Sequence, residues 1–188
     1  NKEFFSINNS GFKVLLDLIF ANKNKSIKIS ENTINFRTRK KGESKLDAGV
    51  FFSFITQIIS YFFNGFVSSK FIGFIIIGGF GFLLHFVMMF YFLKMIKIDF
   101  IWYHLIATLI TSTFNFSVNN YLNFYERKLN NIKNFSIGLL KYYLINIPGI
   151  LSSLTGASFA YNMLTNNPYL ASFMGIILDG IFKFVISI

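Results

Sequence analysis

The chain has 188 residues, 53% hydrophobic, 20% aromatic and only 14% charged, a balance that excludes an ordinary water-soluble domain. Eighteen Lys and Arg against eight Asp and Glu leave a net charge of +10, which calls for an acidic partner such as phosphate, anionic lipid or nucleic acid. The absence of cysteine excludes a disulfide framework, a thiolate nucleophile and a thiolate metal site.

The chain opens Asn1-Lys2-Glu3-Phe4 without an initiator Met or a signal peptide and closes on the apolar run Phe182 to Ile188, so it reads as a piece of a longer protein. In residues 10 to 21, Phe12, Leu15, Leu16 and Ile19 fall at helical spacing with Lys13 and Asp17 opposite, which predicts an amphipathic helix. Residues 26 to 36 alternate well enough to predict a strand or two. A helix followed by a strand is how the end of an α/β domain would look. Next comes a cationic stretch, with Arg37, Arg39, Lys40, Lys41 and Lys45 inside nine residues. Eleven of the eighteen basic residues lie in positions 1 to 70, directly before a strongly apolar region, and this favours a phosphate-bearing lipid over nucleic acid as the partner.

Residues 50 to 66 are rich in Phe but interrupted by Ser53, Thr56, Gln57, Ser60 and Asn64, which share one helical face. That pattern predicts a helix lying in the membrane surface. Four membrane spans follow, at about 71–93, 100–125, 135–164 and 169–188, joined as two hairpins. The first of these is free of formal charge, the second opens with the interfacial aromatics Trp102 and Tyr103, and the third contains Pro148. Basic residues concentrate in the front segment and in the link from Glu126 to Asn134, which places the amino-terminal segment and that link on the cytoplasmic side. Gly81 with Gly149, Ala107 with Gly175, and Phe114-Asn115-Phe116 with Phe182-Lys183-Phe184 form a weak internal repeat of 68 residues.

Polar residues inside the spans are few. Thr108, Ser112, Asn115 and Asn119 make one stripe of the second span, predicted to hydrogen-bond to neighbouring spans or to line a polar route. Asp179 and Lys183 stand at i, i+4 in the fourth span as an intramembrane ion pair. The histidines are His85 and His104; with no cysteine and no carboxylate in the span of His85 they predict no metal site, and His104, beside Trp102 and Tyr103, is placed at the interface. The run Gly78-Gly79-Phe80-Gly81 lies within a span and predicts close helix packing, not a phosphate loop. No catalytic triad or carboxylate pair is evident. The cationic stretch remains, either as a positive anchor on an anionic surface or as a phosphate clamp in which Arg supplies a planar fork, Lys a point charge and Gly42 a close backbone turn.

The helix Gly11-Phe12-Lys13-Val14-Leu15-Leu16-Asp17-Leu18, a strand ending in Phe36, and then Arg39, Gly42, Glu43, Ser44, Lys45 and Leu46 resemble the end of the catalytic domain in the dolichol-phosphate (polyprenol-phosphate) mannosyltransferase family, within glycosyltransferase family 2. Residues 67–188 resemble the GtrA-like four-span module that follows this domain in some members, with Asn115-Phe116 and Asn119 matching its Asn-Phe-x-x-Asn pattern. The resemblance implies three parts: 1–49 as the remnant of an α/β domain of the GT-A type, 50–66 as an interfacial amphipathic helix, and 67–188 as a transmembrane domain. It also implies transfer of a hexose, usually mannose, from a nucleotide sugar to a polyprenyl or dolichyl phosphate at the cytoplasmic face of the cytoplasmic membrane. On that analogy Arg39, Ser44 and Lys45 sit at the acceptor phosphate with Arg37 and Lys41 assisting, and Asn115, Asn119, Asp179 and Lys183 are the polar membrane positions. The donor site and its divalent metal, Mg or Mn, are expected in an upstream half, no cofactor is expected in this segment, and the segment alone should not turn over. Thr33 stands where the family often has Pro. GtrA-like modules also occur alone in association with translocation of lipid-linked sugars, so a flippase-type module or a plain anchor is the alternative.

Overall fold

Each helix begins where the sequence supplies a side chain or a backbone group to close its first turn. The computed structural model describes residues 20, 30, 32–33, 47–96 and 98–186, with side chains as far as residue 181. The predicted helix at 10–21, the strands at 26–36 and the cationic stretch lie outside the described residues, as does the side chain of Lys183. Helix α1 (Ala48–Phe62) opens on Asp47, whose carboxylate accepts the Gly49 N–H at 2.5 Å. Helix α2 (Ser69–Met95) opens on Ser68, whose hydroxyl accepts from Phe71 N–H at 3.3 Å. After a short link, α3 (Phe100–Val118) runs into one wider π-helical turn, Asn119–Asn123, and then a single 3-10 turn, Tyr125–Arg127.

Helix α4 (Ile132–Phe159) is capped by Asn131, which accepts from Lys133 N–H at 2.9 Å; it carries Pro148 and closes in a second π-helical turn, Ala160–Leu164. Helix α5 (Pro168–Ile186) starts with proline in the first helical position, where the missing N–H costs nothing, while Asn167 Oδ1 accepts from Tyr169 N–H at 2.9 Å and Leu170 N–H at 3.3 Å. Thus α2 pairs with α3 and α4 with α5 as consecutive hairpins, α3 also packs on α4, and α1 lies across α2 and the π-helical turn after α3.

The outer surface of this bundle is apolar, and its interior mixes apolar with polar side chains. Phe71, Phe74, Phe80, Leu83, Val87 and Phe90 face outward along α2, whereas Thr56, His85, His104, Thr111, Asn119, Asn123, Ser153 and Ser172 are buried. Such an arrangement suits a hydrocarbon surround, where exposed rings lose nothing and polar groups must satisfy one another within the protein. Two helical stretches, Ser69–Met95 and Ile132–Leu164, are long and apolar enough to cross a membrane, with mean hydropathy of 2.3 and 1.3. The described residues are helical and contain no strand.

Three expectations change. The polar face of α1 turns into the bundle: Thr56 is buried, Ser60 Oγ donates to Val67 C=O at 2.5 Å, and Phe51, Phe62 and Phe63 are exposed. Periodicity identified the face but not the medium it meets. Ser53 and Thr56 also bond back to carbonyls of α1 itself, those of Val50 at 2.9 Å and Ser53 at 3.1 Å. His104 is completely buried, at 0% exposure, and not at the interface, because two serines from other helices receive it. The glycine run packs closely only at Gly81; a Cβ on Gly78 or Gly79 would meet nothing within 4 Å.

Candidate functional site

At the α1 end of the bundle, the chain enters through Asp47. This residue caps α1 and places Oδ2 3.9 Å from Lys128 Nζ, on the link between α3 and α4. Gly49 sits one turn further on. A Cβ there would collide with Tyr125 and come within 3.2 Å of Tyr121 C=O, so only glycine lets α1 lie this close to the link. The link is held from the other side by Asn120, whose Oδ1 accepts from Leu129 N–H at 2.9 Å. Lys128 therefore stands in a fixed position, its ammonium 5.2 Å from the centre of the Tyr121 ring.

A ladder of amides climbs from this end along α3. Asn123 Nδ2 donates to Lys70 C=O on α2 at 3.0 Å and to Asn119 Oδ1 at 3.1 Å, and Asn119 Nδ2 donates to Asn115 C=O at 2.8 Å. Across from it, α2 offers Gly73 to Asn123 and Gly81 to Asn115, places where a Cβ would strike the amide side chains. The Oδ1 of Asn115 is buried with no hydrogen-bond partner among the described residues. Two of the four residues of the predicted stripe bond back to their own helix, Asn119 as above and Thr108 Oγ1 to His104 C=O at 2.7 Å. Within this ladder the bond that reaches another helix comes from Asn123, which that stripe did not include.

Further along lies a buried polar cluster. One ring nitrogen of His104, Nδ1, is 3.1 Å from Ser172 Oγ on α5, and the other, Nε2, is 2.9 Å from Ser153 Oγ on α4. A neutral imidazole has one N–H to donate and one bare nitrogen to accept, so both ends are matched. The His85 ring lies edge-on to that of His104 with 5.0 Å between centroids, and its Nε2 is buried without a partner among the described residues. His104 and Ser172 are 68 residues apart. The same step relates His85 to Ser153, and all four are buried at 3% exposure or less. His104 thus touches the residue one 68-residue step along the chain, and this contact joins the two hairpins. Sequence reading found the 68-residue step through Gly81 and Ala107 but missed this cluster. Carrying the step through the two histidines would have revealed it.

Of the other sequence-derived positions, Asp179 is half-buried on α5. Arg37, Arg39, Lys41, Ser44 and Lys45 lie outside the described residues, and so does the partner side chain of Asp179 in the predicted pair, Lys183. Among the described residues no three acidic or imidazole groups converge on a metal-binding arrangement, so they do not fit the divalent cation that the resemblance implies. What these residues offer chemically is head-group contact at the α1 end and a sealed polar core.

Comparison with known proteins gives the family. The family described as the GtrA/DPMS transmembrane domain matches residues 73–188. A dolichol-phosphate mannosyltransferase of Mycosarcoma maydis is 39% identical over 56 residues, which is 30% of this chain and 19% of that protein. The chain therefore covers well under two thirds of the length of that curated relative. No solved structure matches it.

Proposed function

Because the chain belongs to the GtrA/DPMS transmembrane-domain family, we propose that it is the membrane portion of a hexosyltransferase, most simply a mannosyltransferase, that moves a sugar from a nucleotide donor to a polyprenyl or dolichyl phosphate. In this reading α2 to α5 cross the membrane as four spans, with α1 at the cytoplasmic face and the amino-terminal segment in the cytoplasm. The family match over 73–188 carries the proposal. The pairing of α3 and α5 with the two long apolar helices supports the four-span reading, since each partner runs antiparallel beside a helix able to cross.

The cationic stretch supplies the acceptor end. Arg39, Ser44 and Lys45 hold the lipid phosphate and Arg37 and Lys41 assist, each Arg as a two-pronged donor and each Lys as a point charge. Lys45 lies two residues before Asp47 in the sequence. Donor binding and the divalent cation belong to an upstream catalytic domain, and no step here runs through that cation.

Acceptor kinetics of the full enzyme test the proposal. Arg39→Ala and Lys45→Ala should each raise acceptor KM or lower kcat/KM by an amount equivalent to roughly 1.5–3 kcal/mol, with donor binding unchanged. Unchanged acceptor kinetics in both variants would reduce the stretch to an anchor. Transfer that survives removal of everything after Lys45, with the same acceptor affinity, would deny the spans any part in holding the lipid.

A further inference from the structure

Beside the link between α3 and α4 lies an open cavity of about 550 Å³ that the acceptor reading does not use. Its inner wall is apolar, made by Val118 and Leu122 from the end of α3 and by Phe135 from the start of α4; Ser117, Asn120 and Lys128 add polar groups. It lies where the apolar run of α3 gives way to a polar link bearing Arg127, Lys128 and Lys133 against the single acid Glu126. That is the level of lipid head groups for a bundle whose outer surface is apolar.

The walls are built in place. Asn120 anchors the link through Leu129 N–H. Gly138 on α4 admits the Leu129 side chain, since a Cβ there would stand 2.7 Å from Leu129 Cδ1. Lys128 keeps 29% of its side-chain surface, and its one ionic neighbour among the described residues, Asp47, is 3.9 Å away, beyond ordinary hydrogen-bond length. The ammonium makes no hydrogen bond among the described residues, so its three donors are available to an anion. Beside the cavity Tyr121 is 54% exposed and Ile132 83% exposed, which continues the apolar wall onto the outer surface of the bundle.

We propose that this cavity binds the phosphate head of one anionic membrane lipid, with Lys128 against the phosphate and the acyl chains running outward past Phe135. A cation at an apolar wall matches a phosphate that carries hydrocarbon. A free phosphate would leave the wall wet and unused. Asp47 competes for the same ammonium, so lipid and carboxylate exchange at Lys128. The site is independent of sugar transfer, because a phosphodiester lipid with no acceptor chemistry fills it.

The test places the full chain in phosphatidylcholine nanodiscs containing a minority of phosphatidylglycerol and counts the lipid retained after release, by native mass spectrometry. One phosphatidylglycerol should be retained in preference to phosphatidylcholine. Lys128→Gln should lower that retention about tenfold, whereas Lys133→Gln, the same charge change on an exposed residue, should alter it less than twofold. Val118→Phe, which fills the cavity and leaves the charges intact, should also lower it. Asp47→Asn keeps a helix-capping side chain but removes the competing charge, and should raise retention. A purely structural Lys128–Asp47 pair would move both variants the same way. The proposal is overturned by that result, by equal losses in Lys128→Gln and Lys133→Gln, by equal retention of phosphatidylcholine, or by displacement with millimolar inorganic phosphate. Melting temperatures of the variants, measured alongside, separate lost binding from lost folding. Acceptor kinetics of Arg39→Ala and Lys45→Ala report on the sugar-transfer reading and are unaffected by either outcome.

Discussion

Between α2 and α3, glycines on one helix receive the amide side chains of the other; between α4 and α5, small residues on both helices let the backbones themselves come together. Gly73 and Gly81 make room for Asn123 and Asn115, whereas a Cβ on Gly175 would stand 2.5 Å from Ser153 C=O and 2.7 Å from Ala157 Cβ. The two hairpins nevertheless share one template. Met89 and Ala157, and Tyr103 and Ala171, are 68-residue counterparts, and all four are buried. The hairpins part company towards the α1 end, where Ile77 is 2% exposed and its counterpart Ile145 is 78% exposed. Among the described residues, helix α1 and the amide ladder pack mainly on the first hairpin. The lesson is that one fold unit used twice specialises through its neighbours: the covered copy carries buried amides, and the other stays apolar and faces outward.

Disturbing the second hairpin should have the largest effect. Gly175→Leu drives a side chain into backbone that cannot yield, so thermal unfolding in detergent should show a loss of about 3 kcal/mol or more, or no folded protein at all. Next comes the contact that joins the hairpins. His104→Ala leaves two serine hydroxyls unmatched and opens a cavity, for a loss of about 2–4 kcal/mol by the same measurement. A loss below about 0.5 kcal/mol would mean that the cluster contributes nothing to joining the hairpins.

For the first hairpin, Gly81→Ala meets only the end of the Asn115 side chain, which can turn aside, and should cost about 1–2 kcal/mol. Adding Asn115→Ala should recover most of that cost, and a double-mutant cycle with no coupling would refute the glycine–amide fit. Asn123→Ala should cost about 0.5–1.5 kcal/mol, since hydrogen bonds between helices in membranes average only about 0.6 kcal/mol each. Smallest, and opposite in sign, is Gly78→Ala, which meets nothing and should stabilise α2 by about 0.5–1 kcal/mol.

Much of this architecture was legible in the sequence because charge and capping residues punctuate it. Asp47, Ser68, Asn131 and the Asn167-Pro168 pair sit at helix starts, and the uninterrupted apolar run from Phe71 to Leu93 falls inside α2. What could not be read was which way a polar face turns once lipid replaces water as the surround. That reversal accounts for α1, whose hydroxyls face the protein, and for His104, which its aromatic neighbours Trp102 and Tyr103 drew towards the surface in the sequence reading. Long-range partnership was the other blind spot. Serines are too common in helices for Ser153 and Ser172 to stand out until the 68-residue step is applied to a histidine.

The turn between α1 and α2 has a consequence for anything carried ahead of the membrane bundle. Asn64 and Gly65 hold successive positive φ angles of 51° and 76°, and the turn is laced by Gly65 N–H to Ser60 C=O at 3.0 Å and Phe66 N–H to Phe63 C=O at 3.1 Å. A corner tied this way acts as a bracket and not a swivel. Held also at Asp47 and Gly49, α1 is tied to the bundle at both ends, so a pull on the chain at Asp47 is borne by the bundle and not by the corner alone.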